Sequence, residues 1–202
     1  MKIIFYLNFL VLVCFTGILA QNGKGNLLKK VQDKYKSISS FSANFIQYSG
    51  NNKKISGKFF YKKNNNIRLE TKNSTIISNG ITDWNYVKNQ NKVIISKYDD
   101  SDASMFSFKK IISELPPESN IEQTAENGNH ILVIILKEDS DLNFNQVKLW
   151  INDNDLVKKI EIKEKNNSLL NIELSDYKLN QDLPDSQFSF DPPEGSKVID
   201  LR

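Results

Sequence analysis

Residues 41–70 read FSANFIQYSGNNKKISGKFFYKKNNNIRLE, and the fold turns on how that stretch is parsed. Phe41, Ala43 and Phe45 alternate with Ser42 and Asn44, the two-residue period of a strand with one apolar face. Gly50-Asn51-Asn52 supplies a turn, and residues 55–61 form a second candidate strand with Phe59 and Tyr61 on alternate positions. Asn64-Asn65-Asn66 turns the chain again into residues 67–70, where Ile67 and Leu69 alternate with Arg68 and Glu70. Three short strands joined by tight asparagine turns predict an antiparallel meander.

The same grammar runs outward from there. Strands are expected over residues 74–78, 83–87 (Trp84 and Tyr86 alternating), 93–97, 130–136, 147–151, 156–163, 169–174 and 188–190. Turn formers separate them: Asn79-Gly80, Asn89-Gln90-Asn91, Asn127-Gly128-Asn129, Asn152-Asp153-Asn154 and Asn166-Asn167. About eleven strands at hairpin spacing make a mainly β protein with one large, curved antiparallel sheet, and no helix is placed to give parallel crossovers. Two helical stripes frame it. Leu27, Leu28, Val31, Tyr35 and Ile38 recur at helical steps among lysines, and Met105, Phe106, Phe108, Ile111, Ile112 and Leu115 do so ahead of Pro116-Pro117. A curved sheet with an apolar concave face needs a cover, so these two segments are expected to form a lid.

The first 20 residues read as a secretory signal peptide: Lys2, an apolar run to Leu19, and Ala20 at the cleavage position. The run of about 17 residues, interrupted by Asn8, is short for a membrane span. Val13 before Cys14 does not suit a lipidation motif, and Cys14 is the chain's single cysteine. Residues 21–202 are then expected to form one domain, exported to the periplasm and held together without disulfides. The 202 residues carry 27 Lys+Arg against 24 Asp+Glu, for a net charge of +3. The basic residues are 25 Lys and 2 Arg, spread along the chain and matched by acids, so nucleic acid is a poor partner.

Catalysis lacks its usual parts. With His130 as the single histidine and no cysteine after cleavage, His/Cys metal sites and Cys nucleophiles drop out, and there is no G-x-S-x-G, P-loop or G-x-G-x-x-G. The chain is expected to be no enzyme, with no cofactor and no metal. What it has in excess is apolar surface. Phe41, Phe45, Phe59, Tyr61, Ile67, Leu69, Trp84 and Tyr86 occupy alternating positions of neighbouring strands and are expected to converge on one face. An ordinary sheet-to-helix core and a concave acyl-chain cavity both fit that pattern. The export signal and the Met/Phe helix, whose side chains suit an exchangeable contact, favour the cavity.

Four stretches carry a resemblance. ISSFSANFIQ (38–47), residues 57–69, IISNGITDWNY (76–86) and FSFDPPEGSKVID (188–200) resemble, in order, segments of the LolA family of periplasmic outer-membrane lipoprotein carriers. The resemblance implies an incomplete antiparallel β-barrel with a helical lid over a hydrophobic cavity. It implies a monomeric carrier that takes triacylated lipoproteins from an inner-membrane ABC transporter of the Lol type to a LolB-like outer-membrane acceptor. The eight residues named above would line the cavity, and Met105, Phe106, Phe108, Ile111 and Ile112 would form the lid. Where the family has an arginine that latches the lid, this chain has Lys63, a point donor in place of a planar fork. Two other readings share the scaffold: a lipid-binding regulatory sensor of the RseB type, and a carrier of a different lipid.

Overall fold

The computed structural model describes residues 24–49, 53–99, 119–137, 140 and 144–202; the expected signal peptide lies outside them. The first described element is α1 (Lys24–Ser37), whose last turn carries Lys34 and Lys36, the charge sign a helix C-terminus favours. Lys29 and Asp33 pair one turn apart on its outer surface at 2.9 Å. Ser37 Oγ donates to the Lys34 carbonyl at 2.7 Å, and Ile38 N to that of Tyr35 at 3.3 Å, closing the helix.

Twelve strands follow where about eleven were expected. They are β1 (Ser40–Ser49), β2 (Lys53–Lys62), β3 (Asn66–Thr71), β4 (Ser74–Asn79), β5 (Thr82–Val87) and β6 (Lys92–Lys97). After them come β7 (Asn120–Glu126), β8 (Asn129–Ile135), β9 (Phe144–Ile151), β10 (Val157–Glu164), β11 (Leu169–Leu179) and β12 (Lys197–Asp200). All lie in one open, curled sheet of order β12-β6-β5-β4-β3-β2-β1-β11-β10-β9-β8-β7. Two meanders, β1 to β6 and β7 to β11, are thus sewn together by the antiparallel β1–β11 pair.

Asparagine sets the turns. Asn127 and Gly128 have φ of 49° and 77°, the successive positive values that a two-residue hairpin needs, and Asn64 and Asn65 have 68° and 59° in the three-residue turn between β2 and β3. Gly80 (φ 79°) is required twice over, because a Cβ there would sit 2.5 Å from the Asn64 carbonyl oxygen of the neighbouring turn.

Three expectations need correction. Residues 188–190 are not a strand: Asp185–Phe188 is a short 3-10 helix, and the final strand is β12. Nor is the sheet wholly antiparallel, since β12 pairs with β6 in parallel (Val198 beside Val93, Asp200 beside Ile95). The cause is residues 180–196, which leave β11 in mid-sheet, cross the face of β1 to β4 and reach the far edge running in the direction of β6. Ser40 and Ser42 hydroxyls hold Gln181, Lys62 Nζ bonds the Leu183 carbonyl at 2.8 Å and Asp185 at 2.6 Å, and Arg68 Nη1 bonds the Gln187 carbonyl at 3.1 Å.

The third correction concerns faces. Directly paired residues share a face, so Phe41 pairs with Tyr61 and Tyr61 with Ile67, Ala43 with Phe59 and Phe59 with Leu69, all on one side. Leu69 then pairs with Ile76, whereas Trp84 pairs with Ile77 and Ile77 with Arg68. Trp84 and Tyr86 therefore stand on the opposite face from the other six residues. Ile76-Ile77 is apolar on both sides of the sheet, so periodicity cannot set the phase there and register does. That outer face has its own small core under the crossing segment: Ile77, Val93, Ile95, Leu183 and Phe188 are buried, and the Phe190 ring lies 5.4 Å from that of Tyr86.

Candidate functional site

The inner face collects the apolar residues of β1 to β4 and β7 to β11 under α1. Phe41, Phe45, Phe59, Ile67 and Leu69 from the first meander join Leu132, Ile134, Val147, Leu149, Ile160 and Ile172 from the second in one continuous cluster with Leu27, Val31 and Ile38. Each is at most 7% exposed. Phe41 is the hub, its ring centroid 5.5 Å from Phe59, 5.3 Å from Tyr61, 5.6 Å from Tyr177 and 6.2 Å from Tyr35. Phe45 closes against Gly57, whose missing Cβ leaves the space: an atom there would be 1.9 Å from the Glu70 carbonyl oxygen and 2.8 Å from the Phe45 ring.

Six of the eight predicted cavity residues are thus brought together, and Trp84 and Tyr86 are not. Lys63 is exposed at the β2–β3 turn, its backbone N–H donating to the Ser39 carbonyl at 2.9 Å and its carbonyl accepting from Asn66 Nδ2 at 2.8 Å. The predicted lid residues Met105, Phe106, Phe108, Ile111 and Ile112 lie outside the described residues.

A polar node that the sequence reading missed fixes α1 to the sheet. Tyr35 of α1 accepts a hydrogen bond from the Val157 N–H at 3.2 Å, Tyr177 of β11 donates to the Val157 carbonyl at 2.7 Å, and the two hydroxyls are 3.4 Å apart. Val157 sits where β10 slips register against β9, and the two phenols serve its backbone there. Burial pushes the Tyr35 hydroxyl up to about 12 and that of Tyr177 well above the usual phenol range. Tyr177 lies beyond the strand expected over residues 169–174. Instead Asp176 adopts φ 53° as a bulge, bonded through Oδ2 to Asn44 Nδ2 at 2.7 Å, and β11 continues to Leu179.

Beside this node a cleft of about 360 Å³ opens between the last turn of α1, the β9–β10 turn and the β11 bulge. Its lining is polar at Lys34, Asn152, Asn154, Ser175 and Asp176 and apolar at Leu156, Leu174 and Leu179, with the Tyr177 ring among them. Elsewhere the described residues offer no group of three or more His, Cys, Asp or Glu placed to hold a metal ion. No described helix is long and apolar enough to cross a membrane.

The arrangement is one large hydrocarbon surface, curled and roofed by a helix. Proteins of this build are known. An uncharacterised conserved protein from Thermus thermophilus superposes with a TM-score of 0.58 at 13% identity, covering 87% of this chain and 98% of that one. In sequence, an outer-membrane lipoprotein carrier protein of Francisella tularensis is 26% identical over 94% of this chain and 96% of its own length. An uncharacterised protein of Methanocaldococcus jannaschii is also 26% identical over 98% of this chain, which spans 60% of that relative's length. Residues 36–191, from the end of α1 through the segment that crosses the outer face, match the family model described as outer membrane lipoprotein carrier protein LolA, and the chain is a member of that family.

Proposed function

We propose that this protein is a periplasmic carrier that shelters the acyl chains of lipoproteins on the inner face of its curled sheet, taking them from an inner-membrane ABC transporter to an outer-membrane acceptor. The observation that carries the reading is the continuous apolar inner face, drawn from both meanders and covered by an amphipathic helix in place of a second sheet. Membership of the LolA family supports it. Residues 1–20 would direct export and residues 21–202 would be the working domain. On this reading Phe41, Phe45, Phe59, Tyr61, Ile67 and Leu69 contact hydrocarbon, while Met105, Phe106, Phe108, Ile111 and Ile112 form the displaceable lid and Lys63 its latch.

The energetics require displacement. Burying acyl chain stabilises a complex by about 0.8 kcal/mol per CH₂, so one 16-carbon chain contributes on the order of 12 kcal/mol. A carrier with an empty, waiting cavity would release such a ligand too slowly. The inner side chains are already buried without cargo, so hydrocarbon must replace contacts that the protein makes with itself, and net affinity falls. Loading then draws on energy supplied upstream, and unloading needs only a more apolar acceptor.

The test is mass spectrometry of what leaves the periplasm bound to the protein. Triacylated lipoproteins are expected. A preparation carrying only loose lipid, or only lipid-free polypeptide, would overturn the reading.

A further inference from the structure

The cleft at the C-terminal end of α1 lies where the apolar interior comes near to water at one end of the sheet. Leu156 of its wall belongs to the inner cluster, and Leu174, Tyr177 and Leu179 line the cleft while also packing against that cluster. The lining also carries an ammonium (Lys34), two carboxamides (Asn152 and Asn154) and a carboxylate (Asp176). Asn152 Oδ1 is taken by the backbone N–H groups of Asn154 and Leu156, both at 3.0 Å, so what Asn152 offers a ligand is its Nδ2 donor. Asp176 Oδ2 is bonded to Asn44 at 2.7 Å, which anchors the bulge that forms one side of the opening. Donors and an acceptor of both charge signs beside leucine side chains do not suit a single-sign ion. They suit a head that bears ester or amide groups and is joined to hydrocarbon.

The helix beside the cleft is held to the sheet by Tyr35, through Val157 and Tyr177. Any tilt of α1 at this corner would have to break that node.

We propose that this cleft is the port through which acyl chains pass between water and the inner face, and that its polar lining seats the polar head of the acylated peptide. The inference rests on the carrier reading and adds to it a place and a ligand chemistry. Bridging the cleft must then block uptake. Lys34→Cys and Asn154→Cys, placed together in a Cys14→Ser background that leaves no other cysteine, can be joined by a bis-maleimide with a reducible linker. A control pair, Ser140→Cys with Asn166→Cys, spans the opposite end of β10, where Lys165 Nζ reaches the Ser140 carbonyl.

The probe is a synthetic triacylated lipopeptide, with binding followed before linking, after linking and after reduction. The expected result is a loss of affinity of about tenfold or more in the linked cleft pair, restored by reduction, with the linked control unchanged. Undiminished binding by the linked cleft pair overturns the port, and so does equal loss in both linked pairs. Wild-type protein, with Lys34 and Asn154 in place, that binds no lipopeptide overturns the carrier reading itself, a separate and distinguishable result.

Discussion

At the residue scale, the inner face depends on a few side chains with no room to spare. Gly57 is the sharpest case, because a methyl group there meets the Glu70 carbonyl and the Phe45 ring at once, and one of the two obstacles is backbone. Gly57→Ala is expected to cost about 1–3 kcal/mol, seen as a lower urea midpoint at unchanged slope. An unaltered midpoint would mean that Phe45 and β3 yield freely. The tyrosine node makes a second prediction, with a sign. The folded protein holds the Tyr35 proton up to about 12 against an ordinary value of 10, so both states are protonated below pH 10 and stability is unaffected there. Above that the unfolded chain ionises first, and stability falls as pH rises toward about 12, on the order of 2 kcal/mol from Tyr35 alone. Tyr35→Phe should flatten this alkaline decline while costing about 1–3 kcal/mol at neutral pH, where the Val157 N–H loses its acceptor. Urea titrations from about pH 9 to about pH 12 compare the two, and an equally steep decline in the variant would remove Tyr35 from the account.

At the element scale, the segment crossing the outer face owes its position to polar anchors on β1, β2 and β3 and to the burial of Phe188. Arg68 is one of two arginines in the chain, and it joins Glu70 at 2.6 Å to the Gln187 carbonyl. A charge-assisted bond of this kind contributes about 1.5–3 kcal/mol, so Arg68→Ala should raise amide exchange over residues 185–190 at least about tenfold while the inner strands keep their protection. Unchanged exchange there would show that burial of Phe188 alone holds the segment. The same element explains the edges. β12 closes one side of the sheet only because the crossing segment delivers it there, and β7 on the other side is a polar strand (NIEQTAE) whose sequence carries little alternation. Both escaped a reading based on apolar periodicity, since edge strands need to be protected more than they need to be greasy.

At the scale of the whole molecule, the carrier reading makes binding an exchange between cargo and the protein's own side chains. Replacing Phe106 and Phe108 together by Ala should then tighten lipoprotein binding and slow its transfer in a reconstituted assay, and unchanged transfer would sink the exchange idea. Much of the plan was legible beforehand. The asparagine turns that lie within the described residues, the two-residue period of Phe41, Ala43 and Phe45, and the helical stripe of α1 are local patterns, and each stands where it was expected; the Gly50-Asn51-Asn52 turn lies outside the described residues. The partition of residues between faces was not legible. Trp84 and Tyr86 alternate as cleanly as Phe59 and Tyr61, yet their phase depends on how β4 pairs with β3, and Ile76-Ile77 would satisfy either choice. Nor could spacing foretell the meeting of Tyr35 and Tyr177 over Val157, or the parallel arrival of β12. Local sequence determined the inner strands, their turns and α1, because each is governed by forces acting within a few residues, while the edge strands β7 and β12 took their place from the assembled sheet. Which apolar faces meet, and where polar groups may be buried among them, was decided by strand register and chain crossing, which only the assembled sheet can set.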